Sequence, residues 1–190
     1  MTRRSLAMHI QSCDKKFSDG VLERPTPHHK LVYKSVPEFR HKGCVSVLDF
    51  GCGRGQVTYS LGAMGFMVTG CELAPSVLGS ELKKMTVFPF GPEDLSFFED
   101  GSFDLVLLVD VVSCLRDEDE LDLLLSECAR LASKGVCVTL GENTAMQTID
   151  RPAPWWRFKV VTALGEGCCF AETADYKAGV HRWCLWREAE

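Results

Sequence analysis

The chain has 190 residues, long enough for one domain with a sizeable core, and its 46% hydrophobic and 25% charged content is that of a folded globular chain rather than a disordered one. A net charge of −5 and a pI of about 5.6 leave no broad basic face, which weighs against a nucleic-acid partner, since phosphate contact needs concentrated Lys and Arg. Arg3, Arg4, Lys15 and Lys16 are the one local basic grouping and read as a solvated arm.

Residues 1–43 lack a clean hydrophobic period and read as an N-terminal cap on a single domain that runs from 44 to 190. Pro25, Pro27 and Pro37 punctuate this segment, and a short helix is predicted from Leu31 to Phe39. His28 and His29 are expected on the surface of a Pro-rich loop, with Tyr33 packed beside the site. Val45, Val47, Leu48 and Phe50 then read as a buried strand. Gly51, Gly53 and Gly55 follow, and Gln56 to Met64 reads as a helix. Phe66 to Cys71 is the second apolar run, ending at Glu72, and Met85 to Phe90 is a weak third strand.

The turn Glu99–Ser102 leads into the apolar run Phe103–Val109, predicted as a strand buried on both faces. Asp117 is the predicted cap of a helix to about Ala132, with Leu121, Leu124, Leu125, Cys128 and Leu131 on one face. Gly135, after Lys134, is expected just past that helix end. Val136–Leu140 is the fifth strand. Pro154 opens a helix carrying Trp155 and Trp156, one for the core and one for its rim. Cys168–Ala174 and Val180–Trp186 close the chain as a hairpin around Ala178-Gly179. Strands alternating with helices imply an α/β fold with a mostly parallel sheet covered on both faces.

The stretch Val47-Leu48-Asp49-Phe50-Gly51-Cys52-Gly53-Arg54-Gly55 carries the chemistry. Strand, glycine turn and helix make a nucleotide-binding unit whose ligand lies at the carboxyl end of the strand. The dinucleotide fingerprint needs glycine at its sixth position, which here is Gln56. Asp49 ahead of the glycines would repel a diphosphate and attract a cation. Glu72, at the end of the next apolar run, is placed to hold two ribose hydroxyls.

This pattern resembles the class I S-adenosylmethionine-dependent methyltransferases of small-molecule type. The resemblance implies a Rossmann-like sandwich with a seven-stranded, mostly parallel sheet and an antiparallel C-terminal hairpin strand. It implies S-adenosyl-L-methionine as cofactor and S-adenosyl-L-homocysteine as product. It assigns cofactor contacts to Asp49, Gly51, Cys52, Gly53, Glu72, Leu73, Glu93, Asp94, Leu95, Asp110 and Val111. The segment Glu93-Asp94-Leu95-Ser96-Phe97 is similar to the family's adenine-binding segment, although its usual acidic position is Gly91 here. Leu124, Glu127 and Arg130 are similar to another family segment. The fourth strand runs into Asp110-Val111-Val112-Ser113, unlike methyltransferases of nucleobase amino groups, and this favours a small-molecule acceptor.

No motif singles out a general base among His28, His29, Tyr33, Asp110 and Glu142, so the catalytic residue stays unassigned. Methyl transfer to O or N is the leading reading. A methyltransferase-like subunit that binds or interacts without catalysis, and a nicotinamide oxidoreductase, are the alternatives. The ten cysteines show no zinc spacing, and no metal is expected. Cys44, Cys52, Cys71, Cys114, Cys128 and Cys137 read as small buried hydrophobes in a reducing compartment. Met1–Ile10 lacks the apolar core of a signal peptide, and no run is long enough for a membrane span, so a cytoplasmic location is expected. The oligomeric state is left open.

Overall fold

A computed structural model describes residues 25–73, 86–141, 149–164 and 168–188. The first two helices are α1 (Pro27–Lys34) and α2 (Val36–His41). Then come β1 (Ser46–Phe50), α3 (Gln56–Ala63), β2 (Met67–Cys71) and β3 (Thr86–Phe88). A 3-10 helix (Pro92–Phe97) precedes β4 (Phe103–Val109), which is followed by α4 (Glu118–Leu131) and β5 (Ala132–Gly141). The chain closes with α5 (Ala153–Leu164), β6 (Cys168–Asp175) and β7 (Val180–Arg187).

The strands form one sheet in the order β3-β2-β1-β4-β5-β7-β6. All neighbours from β3 to β5 are parallel, and β7 is antiparallel to both β5 and β6. The order reverses between β1 and β4, and a crevice opens at the carboxyl ends of strands at such a point. This is the α/β sandwich with a C-terminal hairpin expected from the sequence.

The two-residue strand period divides β4 between two cores. Leu105, Leu107 and Val109 face a cluster with Val32, Phe39, Val57 and Leu61 from α1 to α3. Val106 and Leu108 face Leu121, Leu124, Leu125 and Cys128 of α4 and Trp156 of α5. Leu105 to Leu108 are fully buried, and truncating one to Ala should cost about 2–5 kcal/mol. Val45 departs from expectation: it lies ahead of β1 and is 52% exposed.

The predicted helix Leu31–Phe39 is two helices. α1 ends at Lys34, and Ser35 stands at the joint with its hydroxyl donating to the Leu31 carbonyl at 2.7 Å. Pro37 lacks an N–H and begins the next helix, where none is needed. α2 is fastened to β7 by Glu38, which accepts from Arg182 Nη1 at 2.7 Å and from Trp186 Nε1 at 2.8 Å.

Gly135 is not a helix stop. α4 passes directly into β5 at Ala132, and Arg187 serves the helix end by donating to the Ala129 and Ala132 carbonyls. Gly135 is instead a strand residue where a Cβ would stand 2.4 Å from Trp186 Cε3 and 2.6 Å from the Leu185 carbonyl. Cys114 differs as well: it is half-buried in a short 3-10 turn, whereas Cys44, Cys52, Cys71, Cys128 and Cys137 are buried. Burial pushes the Cys44 thiol up to about 11 and the Cys71 thiol up to about 12. Among the described residues no helix is long and apolar enough to cross a membrane.

Candidate functional site

Gly51, Gly53 and Gly55 have φ of 71°, 53° and 78°, the left-handed region that only glycine enters freely. The Gly51 and Cys52 amides both donate to the Cys71 carbonyl, at 2.8 and 3.0 Å, so the turn is anchored to the end of β2. Glu72 Oε2 accepts from the Gly53 amide at 2.9 Å. A Cβ on Gly51 would stand 2.5 Å from Val111 Cγ2, so the segment after β4 packs against the bare backbone of the turn.

Asp49 lies under this turn, 1% exposed, and Thr58 Oγ1 donates to its Oδ2 at 2.5 Å. Burial pushes its carboxyl up to about 6 against the Thr58 hydrogen bond, and the nearby Glu72 adds to the rise. Cys52, 8% exposed, has its thiol pushed up further by burial and by Asp49 and Glu72, so it is no thiolate nucleophile.

Asp110 follows β4 with φ of 60°, the one non-glycine residue with positive φ among those described. Its amide donates to Thr139 Oγ1 at 3.0 Å. Thr139 Oγ1 also lies 2.9 Å from His28 Nδ1, and His28 Nε2 lies 3.4 Å from Asp110 Oδ1. One hydroxyl on β5 thus ties together α1 and the strained residue after β4. His28 is 5% exposed, and burial lowers its pKa to about 4. The expectation of a surface histidine in a loop fails for His28, because Thr26 and Pro27 start a helix that lays it against β5.

Thr26, His29, Gly51, Cys52, Gly53, Arg54, Gln56, Val109 and Asp110 line a cleft with about 510 Å³ of empty space, open to solvent. Tyr33 is placed behind this wall, its hydroxyl donating to the Gln56 carbonyl at 3.3 Å and lying 3.1 Å from Ser60 Oγ.

A second group gathers past β2. Asp94 Oδ2 accepts from the Gly91 amide at 2.9 Å. The space of a side chain at Gly91 is bordered by Glu93 Oε2 at 3.2 Å and Leu73 Cδ1 at 3.4 Å. The Glu93 carboxylate therefore stands beside Gly91, the position that the sequence resemblance gives to an acidic residue. Leu95 is fully buried in the core, which leaves only its backbone to meet a ligand. Arg130 fastens the segment, donating to the Leu95 carbonyl at 3.0 Å, the Phe98 carbonyl at 2.8 Å and Glu127 Oε2 at 2.6 Å. Trp156 is fully buried and Trp155 packs against the same core, away from the cleft lining. Glu142 lies outside the described residues.

A family model described as a methyltransferase domain matches residues 48–139. Over residues 48–139 the chain is similar to methyltransferase domains. The matched span holds the glycine turn, Glu72, Asp110, Thr139 and the residues around Gly91, while Thr26, His28 and His29 lie ahead of it. A curated "Putative methyltransferase" of Geobacillus sp. (strain WCH70) is 30% identical over 98 residues, which cover 48% of this chain and 39% of that relative's length.

Solved structures share the domain's fold at low identity. The Burkholderia thailandensis 1,6-didemethyltoxoflavin-N1-methyltransferase, bound to 1,6-didemethyltoxoflavin and S-adenosylhomocysteine, matches with a TM-score of 0.72 and 16% identity over 100% of this chain and 92% of its own. The N-methyltransferase NodS of Bradyrhizobium japonicum WM9, in complex with S-adenosylhomocysteine, gives 0.69 and 14% over 95% and 99%. The magnesium protoporphyrin IX methyltransferase of Synechocystis PCC 6803, with bound S-adenosylmethionine, gives 0.65 and 20% over 85% and 80%.

Sequence reasoning missed Thr26, Arg54, Gln56 and Thr139. Thr139 left a signal, a lone hydroxyl in the apolar run Val136–Leu140, and Thr26-Pro27 is itself a helix-start pattern.

Proposed function

We propose that the protein transfers a methyl group from S-adenosyl-L-methionine to an O or N atom of a small-molecule acceptor. The observation that carries this reading is the 2.9 Å bond between Glu72 and the Gly53 amide, which sets a carboxylate against a turn of left-handed glycines. The donor set fits the cofactor. Gly53 leaves backbone bare for close approach, the Gly51 and Cys52 amides hold the turn on the Cys71 carbonyl, and Glu72 has the acceptor oxygens that ribose hydroxyls need. Leu73, Glu93, Asp94 and the Leu95 backbone flank the place for the adenine. Asp110 and Val111 face the amino-acid end, and Asp49 supplies negative charge from beneath the turn.

When bound, S-adenosylmethionine supplies a methyl group already activated by its sulfonium charge. The chain's part is then to hold the acceptor within about 3–3.5 Å of that methyl and to exclude water. Of the predicted cap, the described residues 25–43 pack onto the sheet that follows: Val32 and Phe39 are fully buried, and Thr26 and His29 wall the cleft. The small-molecule class of acceptor is supported by the acidic net charge, which leaves no broad basic face for a nucleic acid. The test is calorimetric titration with S-adenosylhomocysteine, followed by transfer of labelled methyl from S-adenosylmethionine to a fractionated metabolite pool. Binding without any labelled product would favour a non-catalytic binding subunit, and no binding would overturn the reading.

A further inference from the structure

His29 closes an unusual capping box. The third position of a helix normally returns a Glu or Gln oxygen to the N-cap amide. Here His29 Nδ1 accepts from the Thr26 amide at 3.3 Å, while Thr26 Oγ1 accepts from the His29 amide at 3.4 Å. A backbone N–H can only donate, so Nδ1 is the bare ring nitrogen and neutral His29 carries its proton on Nε2. Burial, with His28 beside it, lowers the His29 pKa to about 4, so this tautomer persists at neutral pH.

Capping uses one ring nitrogen only. The other is a donor with no hydrogen-bond partner among the described residues, on a ring that lines the cleft beside Gly53 and Arg54. A fixed Nε2–H donor is poorly suited to take a proton and well suited to hold an oxygen. Arg54 adds positive charge to the same lining and Asp110 adds a carboxylate. Together they match a zwitterion, with a carboxylate toward His29 and Arg54 and an ammonium toward Asp110.

We propose that His29 recognises a carboxylate in the cleft, its Nε2–H donating to a carboxylate oxygen of the bound ligand. The proposal rests on the methyltransferase reading for the ligand's identity. Two sources supply such a group: the amino-acid end of the cofactor, and an acidic methyl acceptor.

His29→Gln keeps an oxygen that can close the capping box and removes Nε2. S-adenosylhomocysteine, which has the amino-acid end, and 5′-methylthioadenosine, which lacks it, are titrated into wild type and variant by calorimetry, with Tm as the check on the cap. If the cofactor supplies the carboxylate, His29→Gln weakens S-adenosylhomocysteine by about 10- to 100-fold, as for a hydrogen bond to a charged group, and leaves 5′-methylthioadenosine and Tm unchanged. If the acceptor supplies it, both affinities are unchanged, but benzoate added to the S-adenosylhomocysteine-saturated wild type shifts the His29 Nε2–H resonance. Unchanged affinities with no benzoate shift overturn the proposal, as does an equal loss for both nucleosides. Wild-type protein that binds neither nucleoside overturns the methyltransferase reading, and this proposal with it.

Discussion

Glu72 Oε2 accepts a hydrogen bond from the Gly53 amide at 2.9 Å, so the carboxylate after β2 holds the centre of the glycine turn before any ligand arrives. The residue is 8% exposed, and a carboxylate oxygen accepts more than one hydrogen bond, which is the capacity a ribose would use. Glu72→Ala should therefore weaken S-adenosylhomocysteine by about 1.5–3 kcal/mol and also lower Tm, because the turn loses its tie. Glu72→Gln keeps an oxygen for the Gly53 amide, so its Tm should stay closer to wild type while its affinity falls. Calorimetry and thermal unfolding of the two variants separate these effects, and wild-type affinity in both would remove Glu72 from the site.

Gly51 and Val111 make a second testable pair. At φ of 71° any L side chain is strained, and a methyl on Gly51 would stand 2.5 Å from Val111 Cγ2. Gly51→Ala should cost about 1–2 kcal/mol for the backbone and a further 1–3 kcal/mol for overpacking. Adding Val111→Ala relieves only the second cost. A denaturation double-mutant cycle should show a favourable coupling near 1 kcal/mol or more. Strict additivity would mean that the turn and the segment after β4 do not press together.

What was legible in the sequence was local. Phe103–Val109 is apolar at every position but Asp104, and it is β4 to the residue. Asp117 is read as a cap and accepts from the Glu120 amide. The glycine turn identifies itself because each glycine must take positive φ. What escaped depends on distant neighbours. The His28–Thr139 bond joins residues 111 apart in sequence, and nothing near His28 announces the hydroxyl it meets on β5. Gly135 looks like a helix stop until Trp186 of β7 is placed against it. Leu95 sits inside a family-like segment, yet its side chain belongs to the core.

Thr139 is the test of that long-range link. Thr139→Val preserves shape in β5 and deletes the oxygen that serves both His28 Nδ1 and the Asp110 amide. A buried group left without a partner costs about 1–3 kcal/mol, and two groups are affected. Urea unfolding should show a loss of about 2 kcal/mol or more, with Thr139→Ser recovering most of it. A Thr139→Val variant as stable as wild type would leave the positive φ of Asp110 without its proposed support.

Asp49 and His28 should give stability a pH dependence of opposite sign. The His28 pKa is about 4 in the fold against an ordinary 6.5, so the unfolded chain takes up its proton first as pH falls. Its contribution is fully present above 6.5 and is lost as pH drops from 6.5 towards 4. Asp49 has its carboxyl raised to about 6 from an ordinary 3.8, so the folded chain keeps a proton that the unfolded chain has released. Stability from this group falls as pH rises from 3.8 through 6, by an amount on the order of 2–3 kcal/mol, and the cost is complete above 6. Asp49→Asn, which keeps an oxygen for Thr58, should therefore stabilise the ligand-free protein increasingly between pH 4 and 6 and by a constant amount above. The same shift predicts proton release on binding. A sulfonium beside the turn favours the ionised carboxylate, so S-adenosylmethionine should drive a proton off Asp49 near pH 6. Calorimetry in two buffers of different ionisation heat measures that proton directly. Equal heats in both buffers, or the same release from Asp49→Asn, would show that Asp49 is not the group that answers the cofactor's charge.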